Sequence, residues 1–362
     1  MNYLLRQDQF MIYPKGFYHC RFYWFLILLD IKLQGNFSII FQFNSKEHMN
    51  KLAVIALGGN ALSRGNEAGT IEQQEKNTEN TMVHLVGLIQ KGYNIVITHG
   101  NGPQVGNILL RNEAGYTTYK IPKMPLDICV ADSQGGIGYM IEKELRNALK
   151  EHNIERNVVS IITQVIVDKN DPAFQNPTKP VGAFYIKEEA DLLAKANNWV
   201  FKEDPQKRGW RRLVASPKPI EVLGKDLIKR LASEGTIVIA AGGGGIPVYI
   251  ENGRIEPAEA VIDKDLASSL LAREISADCL FILTDVPKAY INFHTPEQKP
   301  LDVITLGEAK KYYDEGQFTA GSMGPKIMAA IQFIEDNGKE SIITEATQLS
   351  NPDCGTRIIS NN

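Results

Sequence analysis

This sequence of 362 residues contains few cysteines and has no excess of positive charge. Its four cysteines, Cys20, Cys129, Cys279 and Cys354, lie far apart and form no Cys-x-x-Cys pair, so neither a disulfide framework nor a structural zinc site is indicated. The formal net charge is −3, and no basic patch interleaved with aromatic residues occurs, which argues against nucleic-acid binding. Cysteine usage of this kind is typical of a reducing compartment, and we expect a cytoplasmic protein.

Long apolar runs are also missing from the unusual first part of the chain. Residues 1–48 are rich in Phe, Tyr, Ile and Leu, but their apolar run from Phe22 to Leu29 is far shorter than the roughly 20 residues of a membrane-spanning helix. Because Met49 leads almost directly into a predicted strand, we expect residues 1–48 to be an extension, either a mis-assigned start or disordered. An organelle presequence stays open as an alternative. The folded domain is predicted to comprise residues 49–362.

The rest of the composition, 43% hydrophobic and 22% charged, is that of a globular protein. Beyond Lys51, apolar runs that suit buried strands alternate with segments of helical period. Strands are predicted at Leu52–Leu57, Asn94–Thr98, Val158–Val167, Thr236–Ala241, Cys279–Thr284 and Ser341–Thr344. Helices are predicted before Gly92, from Pro103, from Ser133 to about His152 with Asp132 as the cap, and from Lys326 to Asn337. This alternation predicts a mainly parallel sheet with helices on both faces.

The alternation lapses between about Asp168 and Pro219, where Pro, Asn and charged residues accumulate around one helical piece at Lys187–Ala196. A structureless loop of this length is improbable inside a compact domain. We therefore expect an inserted lobe at about 168–219 that forms a small protruding subdomain over the site. Farther along, the Asn-Gly turn within Val248–Ile255 predicts a β-hairpin.

Glycine-rich turns follow three of the predicted strands, at Gly58-Gly59-Asn60, at Gly100-Asn101-Gly102 and at Gly242-Gly243-Gly244-Gly245. One such turn is commonly only a turn. However, the carboxyl ends of parallel strands line the ligand crevice of an open sheet, where glycine lets backbone N–H groups approach phosphate oxygens. Three of these turns together indicate an anion site. The spacings of the dinucleotide fingerprint, the P-loop, the protein kinases, the GxSxG hydrolases and the HExxH peptidases are all absent.

Three lysines stand out by their sequence context: Lys179 between prolines, Lys264 between aspartates, and Lys326 after a Gly-Ser-Met-Gly-Pro turn. A lone lysine usually lies on the surface. Lys326, however, falls at a predicted helix start, where the helix dipole disfavours a cation. Since phosphoryl transfer mainly requires neutralisation of charge on the transferring group, these lysines are candidates for that chemistry.

Two aspartates and one histidine lie beside these motifs. Asp265 can orient the lysines or meet Mg²⁺ through water, whereas Asp263 can simply cap the helix that follows it. His99 precedes the second glycine turn, and we interpret it as a residue that packs the turn rather than as a catalyst.

Five motifs together resemble those of the carbamate kinases, a branch of the amino-acid kinase family. The resemblance extends over nearly all of Lys51–Ile359, and the motifs are Ala56–Asn60, His99–Gly106, Ser133–Tyr139, Asn176–Gly182 and Val261–Asp265. The first two are shared with acetylglutamate and glutamate 5-kinases, and therefore indicate the family better than the substrate. The lobe sequences Asn176–Pro180, Arg208–Arg211 and Ser216–Pro219 are similar to the protruding subdomain that marks the carbamate kinases.

The resemblance implies a three-layer αβα sandwich, a homodimer, and reversible phosphoryl transfer between ATP and carbamate with Mg²⁺. The family commonly makes ATP from carbamoyl phosphate in arginine catabolism by the deiminase pathway. By this resemblance, carbamate and the transferring group would bind at Gly58, Gly59 and Asn60 and at Gly100, Asn101 and Gly102. The nucleotide side would be lined by Gly242, Gly243, Gly244, Gly245, Thr284, Asp285 and Met323.

The resemblance also implies a role for each charged residue. Lys264 and Lys326 would stabilise charge on the bridging and equatorial oxygens, Asp265 would orient these lysines, and Lys179 would reach in from the lobe. Two alternatives stay open at this point. One is another amino-acid kinase that phosphorylates a carboxylate such as acetylglutamate, and the other is a catalytically silent nucleotide sensor.

Overall fold

The computed structural model describes residues 51–62, 67–204, 207–319, 321–349, 351 and 353–361. The chain divides into two units, residues 1–48 and 49–362, and the predicted extension lies outside the described residues. In the described part, the α-helices are α1 Ile71–Gln90, α2 Gly102–Tyr119, α3 Leu126–Glu151, α4 Lys187–Asn197, α5 Lys225–Ser233, α6 Lys264–Glu274, α7 Leu306–Asp314 and α8 Met323–Glu335. Single 3₁₀ turns occur at Gly59–Ala61, Pro172–Phe174, Gly242–Gly244 and Ala346–Gln348.

The strands of the same residues belong to four sheets. They are β1 Leu52–Leu57, β2 Asn94–His99, β3 Val158–Ser160, β4 Gln164–Val167, β5 Lys179–Tyr185, β6 Val200–Glu203, β7 Trp210–Val214, β8 Pro219–Val222, β9 Ile237–Ile239, β10 Ile246–Glu251, β11 Arg254–Pro257, β12 Cys279–Leu283, β13 Tyr290–Ile291, β14 Lys299–Pro300, β15 Val303–Thr305, β16 Glu340–Thr344 and β17 Thr356–Ile359. The largest sheet has the order β15-β17-β16-β12-β1-β2-β9-β3, and all neighbours run parallel except β16 and β17. This is the mainly parallel sheet that the sequence predicts.

Both faces of this sheet are covered by helices. Every residue of β1 is buried, and successive side chains belong to different cores. Ile55 packs with residues of α1 and α3, whereas Val54 packs in the cluster that contains residues of α6 and α8. Continuous apolar sequence is what a strand needs when it is buried on both faces. The predicted αβα sandwich is therefore confirmed.

Two sequence predictions about single elements are wrong. The run Val158–Val167 is not one strand: β3 pairs with β9 in the large sheet, whereas β4 pairs with β8 and β10 in a second sheet of order β11-β10-β4-β8. Helix α3 begins at Leu126 rather than at Ser133, so Asp132 lies inside the helix and caps nothing. The buried residues of α3 extend back through Val130 to Leu126, and this packing outweighs the local capping preference of Asp132.

The segment predicted to be an inserted lobe contains β5, α4, β6 and β7. Its three strands form a separate antiparallel sheet in the order β5-β7-β6. The two ends of the segment meet where β4 pairs antiparallel with β8. The predicted hairpin is formed by β10 and β11, with Asn252 and Gly253 in the turn at φ of 50° and 76°. No helix among the described residues is long and apolar enough to cross a membrane.

Candidate active site

A cleft of about 270 Å³ lies at the carboxyl ends of β1, β2 and β9 in the large sheet. In an open parallel sheet this edge is where the turns after neighbouring strands meet. Sequence-predicted residues from all three glycine turns, from the lobe and from two helices line it: Gly59, Gly100, Asn101, Gly102, Lys179, Gly243, Asp263, Lys264, Asp265 and Lys326. The structure thus brings together residues that are far apart in the sequence.

The first two glycine turns leave the cleft open and make room for a lysine stem. A Cβ atom on Gly59 or Gly102 would meet no atom within 4 Å, and both glycines face the cleft. A Cβ on Gly100 would lie 3.1 Å from Cδ of Lys264, so this glycine allows the lysine stem to pass beside β2. Gly58 lies behind the cleft, against the carbonyl of Leu283, and the side chain of Asn60 lies outside the described structure.

The third glycine turn is a buried wall of the same cleft. A Cβ on Gly242 would overlap the ring of His99, and a Cβ on Gly243 would overlap the side chain of Asn101. Gly243 also has a φ of 67°, in the left-handed region that favours glycine. Gly244 and Gly245 pack against Ile262 and Val165, away from the cleft. The turn therefore packs against Asn101 and His99, and Gly243 is its member that lines the cleft.

Asp265 bridges two of the candidate lysines. Its Oδ1 accepts a hydrogen bond from Nζ of Lys264 at 2.6 Å, and its Oδ2 accepts one from Nζ of Lys326 at 3.0 Å. The Asp265 side chain is only 5% exposed. Burial by itself would raise the pKa of Asp265, but the charges and hydrogen bonds of the two lysines outweigh it and hold this pKa below its usual value. The carboxylate therefore stays ionised and keeps both ammonium groups at the cleft.

The third lysine reaches the cleft from the lobe. Lys179 is the first residue of β5, and its Nζ donates to Oδ2 of Asp263 at 2.8 Å. Asp263 is at the same time the N-cap of α6, because its Oδ1 accepts a hydrogen bond from the backbone N–H of Asp265. The capping role considered for Asp263 from the sequence is therefore present. Its pairing with Lys179 has no local sequence signal, since the two residues are 84 positions apart.

A supporting layer behind the cleft has no assigned role in the sequence prediction. Asn101 donates through Nδ2 to the hydroxyl of Ser133 at 2.8 Å. Gln134 exchanges two hydrogen bonds with the backbone of Thr163, and the Thr163 hydroxyl accepts from the N–H of Ala241. Helix α3 thereby fixes the second and third glycine turns. In the sequence, the Ser-Gln-Gly motif that begins at Ser133 indicates that this part of α3 matters. A motif does not show, however, which atoms its side chains contact.

A second, smaller pocket adjoins this cleft through Ser322, which lines both. It contains the remaining three predicted nucleotide-side residues, Thr284, Asp285 and Met323. Aromatic side chains enclose it on the other sides, namely Tyr290, Phe293 and Phe318. None of the residues Gly242–Gly245 lines this pocket. The structure therefore separates the tetraglycine turn from the other residues predicted for the nucleotide side.

The charges of the cleft suit an anion. Lys179, Lys264 and Lys326 outnumber Asp263 and Asp265, and all five side chains line the same space. Backbone N–H groups of the glycine turns add partial positive charge at strand ends. Such an arrangement can neutralise a transferring phosphoryl group without forming a covalent intermediate.

Comparison with known proteins agrees with this chemistry. The family model described as the amino acid kinase family matches residues 51–345. This chain belongs to the amino acid kinase family. The relatives within this family, which are carbamate kinases, indicate a phosphotransferase, as the sequence predicts.

Curated relatives place the chain in one branch of the amino acid kinases. A carbamate kinase of Pyrococcus furiosus is 51% identical over 314 residues, which cover 86% of this chain and 100% of the relative. A carbamate kinase of Pyrococcus horikoshii is 54% identical, with 82% of this chain and 94% of the relative covered. The resemblance to the carbamate kinases predicted from the motifs is thus confirmed.

A solved structure of the same branch has a similar fold. The carbamate kinase from Giardia lamblia bound to AMP-PNP superposes with a TM-score of 0.82 at 46% sequence identity. The match covers 86% of this chain and 99% of the Giardia chain. The mainly parallel sheet with helices on both faces therefore belongs to a known carbamate kinase architecture.

Protein ligands for a metal ion are few at this amino acid kinase site. Among the described residues, no group of three or more His, Cys, Asp or Glu side chains could hold a metal. Both carboxylate oxygens of Asp265 already accept hydrogen bonds from lysines. This donor set fits an Mg²⁺ ion that is held mainly by nucleotide phosphates rather than by a protein cage.

Proposed function

We propose that this chain catalyses reversible phosphoryl transfer between ATP and carbamate, giving ADP and carbamoyl phosphate. The proposal rests on one observation above all: a buried aspartate presents two lysine ammonium groups to a cleft of glycine turns, in a chain about half identical to carbamate kinases. Lysines arranged in this way neutralise charge that spreads over the transferring group. Substrate identity follows from the relatives, and the charge chemistry follows from the site.

Different residues of the cleft would have different roles in the phosphoryl transfer. Carbamate, an anionic oxygen nucleophile, would bind at the turns of Gly59 and Gly102, so that no general base is required. Lys264 and Lys326 would neutralise the bridging and equatorial oxygens, while Asp265 keeps them in place. Lys179 would add positive charge from the lobe. This division agrees with a cleft whose described lining residues include three lysines and no histidine.

The nucleotide would occupy the pocket that adjoins the cleft. Tyr290, Phe293 and Phe318 offer apolar surface for a purine base, and Thr284 and Asp285 offer polar groups nearby. Mg²⁺, bound to the nucleotide phosphates, would neutralise part of their charge. The shared residue Ser322 marks where the phosphate chain would pass from one space to the other.

The proposal also covers the direction of the reaction, the oligomeric state of the enzyme and its location in the cell. Carbamoyl phosphate is a reactive acyl phosphate, so transfer from it to ADP is the favourable direction, which suits ATP synthesis in arginine catabolism. We propose that the enzyme works as a cytoplasmic homodimer.

Two other functions compete with this proposal. One is a kinase that phosphorylates a carboxylate such as acetylglutamate, and the other is a nucleotide sensor without catalytic activity.

The proposed reaction is tested by measuring ATP formation from carbamoyl phosphate and ADP with Mg²⁺. The same preparation is assayed with ATP and acetylglutamate or glutamate. We expect turnover with carbamoyl phosphate and none with the two carboxylates. Turnover with acetylglutamate would favour the rival kinase, and nucleotide binding without any turnover would favour the sensor.

The assigned role of Lys326 is tested in the same assay. Lys326→Ala removes one of the two ammonium groups held by Asp265, and loss of one transition-state contact of this kind costs roughly a hundredfold or more in turnover. Lys76→Ala is a matched control, because Lys76 forms an exposed ion pair with Glu79 on α1. A Lys326→Ala variant that turns over like the control would contradict the assignment.

A further inference from the structure

The lobe contacts the core at helix α2, against which β5 packs, and at a short strip, residues 258–263, which connects β11 to α6. The backbone N–H of Val261 donates to the carbonyl of Ala215 at 3.0 Å, and Ala215 forms an isolated bridge with Ala260. These contacts lie at the root of the lobe, just after β7. The strip is therefore one attachment of the lobe, and it leads directly into Lys264, a lysine of the proposed active site.

Two ion pairs extend this attachment, one at each end of the strip. Arg212 of β7 pairs with Glu259, whose side chain is 61% exposed and lines a separate cleft between the lobe and the helices α2 and α3. Lys179 of β5 pairs with Asp263, whose side chain is only 16% exposed and lines the catalytic cleft. The two pairs join the same lobe to the same strip. They differ in that only the Asp263 pair places a charge beside the proposed substrate.

Asp263 is a rigid partner because its two oxygens serve different purposes. Oδ1 accepts from the N–H of Asp265 at 3.0 Å, which ties the carboxylate to the first turn of α6. Oδ2 is left free to accept from Lys179. Lys179 by contrast has a long side chain that loses considerable rotamer entropy when it is held in one place. A fixed carboxylate offsets part of that cost before a ligand arrives.

We propose that Asp263 is a positioning residue for Lys179, which it holds over the catalytic cleft and aligns with the lysines of α6 and α8. The inference rests on the proposed function, because it assumes that Lys179 acts on the transferring group. Asp263 itself does not touch the substrate in this scheme. It acts by linking the lobe to the N-terminus of the helix that carries Lys264 and Asp265.

The test uses Asp263→Asn, which separates the two purposes of this side chain. Asparagine caps a helix about as well as aspartate, so α6 is expected to stay intact, while the charge that holds Lys179 is lost. We expect kcat/KM for carbamoyl phosphate to fall by about tenfold, the scale of a hydrogen bond between charged groups. Glu259→Gln is the matched control. It breaks the other lobe-to-strip ion pair, and its kcat/KM is expected to stay within about twofold.

A double-mutant cycle shows whether Asp263 acts through Lys179. In a Lys179→Ala background, Asp263→Asn should change kcat/KM by less than about twofold, because the partner is already gone. An equal, roughly tenfold loss in both backgrounds would overturn the proposal and assign Asp263 a role of its own. A tenfold loss in Glu259→Gln would overturn it as well, since general loosening of the lobe would then explain the effect.

A second readout does not depend on turnover. Amine-selective labelling followed by peptide mass analysis should modify Lys179 several times faster in Asp263→Asn than in the unaltered chain, with Lys264 unchanged. Unchanged labelling of Lys179 would overturn the proposal. If the unaltered chain makes no ATP from carbamoyl phosphate, the proposed function fails, whereas the labelling still decides whether Asp263 holds Lys179.

Discussion

At the scale of single residues, the surroundings of His99 decide its charge. The ring is buried at the end of β2, its Nδ1 donates to the carbonyl of Gly100 at 2.9 Å, and Gly242 packs against the opposite side. Burial, and to a lesser extent the charge of Lys264, lowers the pKa of His99 to about 4, although the hydrogen bond to Gly100 acts in the other direction. The imidazole is therefore neutral near pH 7, which suits a residue that packs the turns.

This pKa predicts an acid-sensitive fold. An unfolded histidine has a pKa of about 6.5, so between pH 6.5 and 4 the unfolded chain takes up a proton that the folded chain excludes. The contribution of His99 is fully present above pH 6.5 and is lost as the pH falls, by roughly 3 kcal/mol near pH 4. Urea unfolding measured from pH 7.5 to 4.5 should show this slope, and His99→Gln should flatten it. An equal slope in the variant would contradict the lowered pKa.

At the scale of elements, the Gly242–Gly245 turn shows how a backbone conformation can serve a side chain elsewhere. Gly243 and Gly253 both have a left-handed φ, 67° and 76°. A Cβ on Gly243 would overlap Asn101 at the cleft, whereas a Cβ on Gly253 would meet nothing within 4 Å. The two glycines thus share the same backbone strain on substitution but differ in their neighbours.

Alanine substitutions at these two glycines separate strain from function. Gly253→Ala should lower the free energy of unfolding by about 1 kcal/mol, because alanine disfavours a left-handed φ. Gly243→Ala should lower it by more, because its Cβ would also overlap the buried side chain of Asn101. Only Gly243→Ala should also lower kcat/KM, by tenfold or more, since it displaces Asn101 from the cleft. Urea unfolding and the carbamoyl phosphate assay measure the two effects. Equal activity of the two variants would show that the tetraglycine turn does not contribute to the active site.

At the scale of the whole molecule, α3 has an outward face that suits a second copy of the chain. Ile128 and Tyr139, eleven residues apart, lie on the same side of the helix and are 44% and 65% exposed. Between them, Gly135 and Gly136 leave a flat surface, where a Cβ would meet no atom. The same side also carries the exposed Asp132, one turn after Ile128, and the flat stretch at the two glycines allows two helices to approach closely. This face supports the proposed homodimer.

The homodimer is tested by changing this face. Tyr139→Arg should convert a dimer into a monomer in size-exclusion chromatography with light scattering, because each dimer would then bury two unpaired charges. Leu192→Arg on α4 is the control, since Leu192 is 69% exposed on the lobe, and it should remain dimeric. A dimeric Tyr139→Arg variant would place the interface elsewhere.

The sequence by itself determined the local features of this protein. Strands β1, β2 and β12, the glycine turns after β1 and β2, and the hairpin of β10 and β11 follow from apolar runs and turn residues. The motifs in the same stretches were enough to identify the family. Periodicity and turn chemistry act over a few residues, which is why these features can be read from the chain alone.

Only the tertiary structure decided what depends on distant contacts. It divides Val158–Val167 between two sheets, starts α3 at Leu126, and places the tetraglycine turn behind Asn101. It also joins Lys326 to Asp265, 61 residues away, and Lys179 to Asp263, 84 residues away. Pairings of this kind are set by the packing of strands and helices against each other, and no local pattern in the sequence carries them.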